Sequence, residues 1–142
     1  MSYNKNVPSW DLYFMNIAEV IKTRSPDFIK VGSVLVSMKD HRIISTGYNS
    51  FKSGLDDSVF DWNDRELVSD LVIHSETNCI LYAQNRFEDA VLYTTLSPCR
   101  KCLKLISATQ IKKVIYKHDH KDIDKVRALS KILNIELEKF NM

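Results

Sequence analysis

Two short segments hold residue types that bind and use a metal: His74-Ser75-Glu76 and Pro98-Cys99-Arg100-Lys101-Cys102. Zinc takes four tetrahedral ligands, and a catalytic zinc keeps one position for water. His74, Cys99 and Cys102 supply three. A CxxC at the start of a helix turns both thiols toward one point, and the helix N-terminus favours thiolate over thiol. No fourth Cys or His stands at a paired spacing, so a closed structural site is short of a ligand. Glu76 follows His74 by two residues, where a carboxylate can take a proton from metal-activated water and hand it on. Taken singly, each piece has a plain reading. A lone His packs or faces solvent, a lone CxxC can be a redox pair, and an acid at a helix start complements the dipole. Only the combination points to a metal-assisted reaction.

Both segments must open helices to work this way, and the flanking patterns supply them. Ser9 is a candidate N-cap for a helix with Trp10, Tyr13, Phe14, Ile17, Ala18 and Ile21 on one face. Residues 31–38 and 42–49 read as a hairpin through Lys39-Asp40-His41. Gly54 and the acidic residues after it mark 50–70 as a long loop. A helix is predicted over 75–85, with Ile80 and Leu81 in the core and Cys79 as a small buried residue. Strand 90–96 stops at Pro98, and helix 99–109 puts Cys102, Leu103 and Ile106 on one side. A strand over 114–117 precedes a helix over 122–133 carrying Val126, Leu129, Ile132 and Leu133, and 135–140 closes as an edge strand. Strands alternating with helices predict an α/β fold, a mixed sheet of about five strands between helical layers. One domain is expected over 1–142.

The composition, 44% hydrophobic and 27% charged, excludes disorder and low-complexity classes. No apolar run reaches the ~18 residues that span a bilayer, and the first ten residues lack a secretory core. Three cysteines without an export signal predict a reducing, cytoplasmic setting rather than a disulfide framework. Net charge is +2, divided as −4 over residues 1–99 and +6 over 100–142. The acidic run Asp56, Asp57, Asp61, Asp64, Glu66 and Asp70 would repel a long phosphate backbone. No nucleic-acid or membrane partner is expected. His118 and His120 could bind metal or phosphate, but a solvated loop is the first reading.

HxE followed by PCxxC resembles the signature of zinc nucleobase deaminases. The likeness extends further: WDLYFMNIAEVIKTRS, KVGSVLVSMKDHRIISTGYN and LYTTLSPCRKCLKLISATQIKKVIY are similar to the deoxycytidylate (dCMP) deaminase family. It implies the three-layer cytidine deaminase-like fold, and one zinc per chain on His74, Cys99 and Cys102. Glu76 becomes the proton shuttle for hydrolysis of dCMP to dUMP and ammonia, supplying thymidylate synthesis. Asn49 of GYN would meet the sugar, and groups around Ser97 and Pro98 the edge of the base. Lys30, Arg24 and Lys117 stand near segments expected to border the site, and any one of them could meet the phosphate. A homo-oligomer, up to a hexamer, is implied as well.

The segment after GYN departs from the family. Ser50 and Lys52 stand where a Gly and a Pro are usual, and the stretch before HxE is short. Gly54 and Asp57 are the allosteric candidates, with Mg²⁺ needed only if a regulatory nucleotide binds. Weak or absent control by dCTP is expected, since a side chain hinders close approach of backbone to phosphate. Rival readings are a deaminase of cytidine, free cytosine or tRNA adenosine, and a non-catalytic nucleotide-binding regulator. RNA would need a basic surface that the acidic loop opposes, and a structural zinc would need no adjacent Glu76.

Overall fold

The computed structural model describes residues 3–141. Helix α1 (Trp10–Lys22) begins at Ser9, whose hydroxyl accepts from the Leu12 N–H, as the N-cap reading requires. Strands β1 (Gly32–Ser37) and β2 (Arg42–Tyr48) form the antiparallel hairpin, closed through His41 in the left-handed region at φ 56°. Next come α2 (Arg65–Leu71), α3 (Ser75–Leu81), β3 (Ala90–Leu96) and α4 (Arg100–Ser107). β4 (Lys113–His118), α5 (Ile123–Ile132) and β5 (Glu136–Lys139) complete the order. The sheet runs β2-β1-β3-β4-β5, with β1 antiparallel to β3, and β3, β4 and β5 mutually parallel. This is the mixed five-stranded sheet that the alternation predicts.

Alternation along the central strands feeds two cores. On one face Phe14, Met15 and Ala18 of α1 pack on Val34, Val36, Tyr93 and Ile115. On the other, Cys79, Leu103, Ile106 and Val126 from α3, α4 and α5 cover Leu35, Leu92 and Val114. Side chains one residue apart on a strand therefore serve opposite layers.

Four expectations need correction. The 50–70 stretch is not a plain loop: it holds a 3-10 turn (Asp57–Val59) and α2. Asp64 caps α2 by accepting from the Leu67 N–H, and Val68 is buried beneath it. Trp10 and Tyr13 are exposed, because the buried stripe of α1 is rotated to Phe14, Met15 and Ala18. Leu81 also faces out, and Cys79 and Ala83 occupy the inner face of that segment. Ile132 of α5 is exposed, while Val126 and Ser130 are buried. In each helix the apolar set is wider than the contact, so periodicity alone does not fix the rotation.

Antiparallel pairing of β1 with β3 brings the start of β1 beside the end of β3, with Ser33 opposite Thr94. The end of β2 is there too, since Tyr48 pairs with Gly32. One end of the sheet thus gathers the ends of β2, β3 and β4 and the starts of α3 and α4. Crevices at the carboxyl ends of parallel strands are where α/β folds bind ligands.

Candidate active site

His74 is the N-cap residue of α3 and Cys99 that of α4, so both motifs open helices. Glycine lets α3 lie close on the sheet. A Cβ at Gly47 would collide with the Ser75 carbonyl and stand 2.8 Å from the Cys79 nitrogen. Cys102 sits one turn into α4, buried beside Leu103 and Ile106. The two helix starts meet, with His74 Nδ1 3.1 Å from Cys102 Sγ and 3.6 Å from Cys99 Sγ.

All three donor atoms lie within 4.8 Å of one another. Tetrahedral zinc with ordinary Zn–S and Zn–N bonds sets N and S donors ~3.5 Å apart, so this set fits zinc. Among the described residues no fourth His, Cys, Asp or Glu joins the group. The electrostatics agree. The hydrogen bond with Cys102, opposed by burial and aided by His74, pulls the Cys99 thiol well below the usual thiol range. The same Cys99–Cys102 bond, with burial, pushes Cys102 up, so the pair shares one negative charge. A divalent cation would expel the second proton. Cys79, by contrast, is fully buried and its thiol is pushed up by burial, which makes it an inert core residue.

Glu76 is 4% exposed, one residue beyond the helix start. Its Oε1 accepts from the Ser75 hydroxyl at 2.7 Å and lies 3.2 Å from Thr94 Oγ1. A cleft of about 380 Å³ opens over Glu76, His74 and Cys99. Val31, Val68, Val72 and Leu96 give it apolar wall. A buried carboxylate beside a metal-competent set, facing a cavity, can move protons between a nucleophilic water and a bound base.

Asn49 lines this cleft and is 7% exposed. Its amide clamps the chain before β1: Oδ1 accepts from the Val31 N–H at 2.9 Å and Nδ2 donates to the Ile29 carbonyl at 2.7 Å. One N–H and one lone pair are left for a ligand. Ser97 also lines the cleft, and ties two loops together. Its hydroxyl accepts from the His120 N–H at 2.7 Å, and its N–H donates to the His118 carbonyl at 2.8 Å. Pro98 is buried just behind it.

The cations fall differently from expectation. Lys30 is exposed outside the cleft, its ammonium 3.5 Å from the Thr23 carbonyl. Lys117 pairs with Glu19 on the α1 face at 3.1 Å, and Arg24 is exposed. Arg65, His120 and Lys121 line the cleft instead. Arg65 is engaged by Asp27, 3.0 Å away and almost wholly buried. His120 Nδ1 accepts from the Asp122 N–H, which leaves Nε2–H as the free donor, so His120 is not the solvated loop residue expected. Its place in the cleft agrees instead with the second reading of KHDHKD, as a binder of phosphate. Gly54, at φ 97°, and Asp57 line a different groove with Lys52 and Tyr82.

Among the described residues no helix is long and apolar enough to cross a membrane. Residues 8–118 match the family model for the cytidine and deoxycytidylate deaminase zinc-binding region. A Caenorhabditis elegans protein named "Probable deoxycytidylate deaminase" is 39% identical over 85% of this chain, which spans 63% of that relative's length. The deoxycytidylate deaminase of Mycobacterium phage D29 is 36% identical over 77% of this chain and 94% of its own. A crystal structure of dCMP deaminase from cyanophage S-TIM5, in complex with dCMP and dUMP, superposes with a TM-score of 0.74. It is 25% identical and covers 94% of this chain and 98% of that one. Since the matched region runs from before α1 to the end of β4, taking in both motifs and the strands between them, the chain belongs to the cytidine and deoxycytidylate deaminase family.

Proposed function

We propose that this protein hydrolyses dCMP to dUMP and ammonia, with one zinc per chain held by His74, Cys99 and Cys102. The observation that carries the reading is Glu76, a buried carboxylate opening on the cleft beside the donor set. A bound zinc supplies a water acidified to a pKa near ~7. Glu76 accepts a proton from the attacking water and delivers it to ring N3. It then takes the second proton from the hydroxyl added at C4, as the carbonyl forms, and gives it to the departing amine. Asn49 uses its remaining N–H and lone pair on the sugar. Ser97 and Pro98 hold the loop against which the base edge rests. Val31, Val68, Val72 and Leu96 limit water around the ring.

The phosphate meets Lys121, with the Nε2–H of His120. Arg65 is committed to Asp27, whereas Lys121 makes no ion pair among the described residues. The cysteine usage fits a cytoplasmic enzyme. Exposed Trp10 and Tyr13 favour a homo-oligomer. Control by a nucleotide triphosphate, if it operates through Gly54, Asp57 and Mg²⁺, is weak.

Ammonia release from dCMP, deoxycytidine, cytosine and tRNA tests the substrate. dCMP is expected to be the best of the four, and Lys121→Ala to raise the KM for dCMP ~10-fold or more with little change for deoxycytidine. Equal turnover of dCMP and deoxycytidine by the unaltered protein would refute the nucleotide reading.

A further inference from the structure

The metal set does not need the buried hydroxyls that end on Glu76. Ser33 of β1 is fully buried, and Ser75 of α3 is 1% exposed. Their Oγ atoms are 2.7 Å apart, and Ser75 Oγ is 2.7 Å from Glu76 Oε1. A carboxylate can only accept, so Ser75 gives its single proton to Oε1. The contact between the serines is then made by Ser33 donating to Ser75. The direction of both bonds is fixed, and each polarises the next. Thr94 is a lesser contributor, because its one hydroxyl proton is contested by the Leu96 carbonyl at 3.0 Å.

We propose that Ser33 and Ser75 are positioning residues that keep Oε1 of Glu76 a permanent acceptor, so that the proton carried in catalysis resides on Oε2. The inference rests on Glu76 being the proton shuttle. A proton on Oε1 would face the Ser75 hydroxyl proton and force Ser75 to turn toward Ser33. Ser33 would then need another acceptor, and among the described residues its hydroxyl has no partner besides Ser75. The chain of hydroxyls thus holds the carboxylate in one rotamer through Oε1 and leaves proton transfer to Oε2.

The test compares Ser33→Ala, Ser75→Ala and the double variant by kcat, KM for dCMP and zinc per chain. Losing a hydrogen bond to a charged group is expected to lower kcat ~10-fold or more in Ser75→Ala, with KM within ~3-fold and zinc retained. Ser33→Ala should lower kcat ~3-fold or more. The double variant should match Ser75→Ala, since Ser33 reaches Glu76 only through Ser75. A merely structural pair would move thermal stability and leave this pattern in kcat absent. Unchanged kcat in Ser75→Ala, or effects that multiply in the double variant, would overturn the proposal. Should Ser75→Ala not fold, Ser33→Ala decides alone: kcat within 1.5-fold of the unaltered protein (roughly the assay's resolution) overturns it. Glu76→Gln separates the two claims. If it stays active, the shuttle reading fails; if it is inactive while Ser75→Ala is fully active, only the positioning claim fails.

Discussion

Cys102 is the most enclosed of the three metal-competent residues, and its Sγ lies 3.1 Å from His74 Nδ1. Serine in its place keeps the volume but replaces a soft thiolate donor with a hydroxyl that does not ionise near neutral pH. Cys102→Ser is therefore expected to leave far less than one zinc per chain by elemental analysis, with the helical circular dichroism preserved. Normal zinc content in that variant would remove Cys102 from the donor set. These residues were legible because each motif is short and local: the spacing within HSE and PCRKC decides which atoms meet. Arg65, Asp27 and Lys121 were not. Arg65 and Asp27 meet only because α2 folds back against the segment after α1, and no local pattern announces that contact. Asn49 was legible as a candidate, and it lines the cleft, but its clamp on residues 29–31 was not legible, for the same reason.

The helices carrying the motifs are placed by close approach to the sheet. Gly47 of β2 lies under the first turn of α3, where any Cβ would strike the Ser75 carbonyl. Gly47→Ala must push the start of α3 outward by an ångström or more, carrying His74 and Glu76 away from Cys99 and Cys102. Misplacement of ~1 Å at a reacting group can cost ~100-fold in rate. Turnover is expected to fall by that order and zinc affinity to weaken, measured by dCMP assay and chelator competition. An active, zinc-replete Gly47→Ala would show that α3 does not depend on this contact. Strands and the hairpin were readable from alternation and turn residues. The rotation of α1 and α5 was not, since exposed Trp10, Tyr13 and Ile132 extend the apolar face beyond what the sheet covers. The acidic composition of 50–70 hid α2, a short helix started by the Asp64 cap rather than by a long periodic run.

Across the whole molecule, Glu19 links α1 to the sheet by pairing with Lys22 at 2.6 Å and with Lys117 of β4 at 3.1 Å. Burial pushes its carboxyl up, but the two ammonium groups outweigh it and hold it below the usual 4.5. A depressed folded pKa contributes stability above the unfolded value and loses it as pH falls through the folded one. Glu19→Gln is expected to cost up to ~1 kcal/mol at pH 7. In denaturant titrations that difference should shrink below pH 4.5 and vanish in stronger acid. A gap that persists there would mean the pairing is not its cause. Both helix starts serve one cleft, and the most direct measurement is ammonia release from dCMP by the zinc-loaded protein and its Glu76→Gln variant, side by side. The account requires dUMP and ammonia in equal amounts from the unaltered protein. It also requires a loss of at least ~10³-fold in Glu76→Gln at equal zinc content, because an amide cannot shuttle a proton. Near-normal turnover by zinc-loaded Glu76→Gln, or no ammonia from dCMP with the unaltered protein, would contradict it.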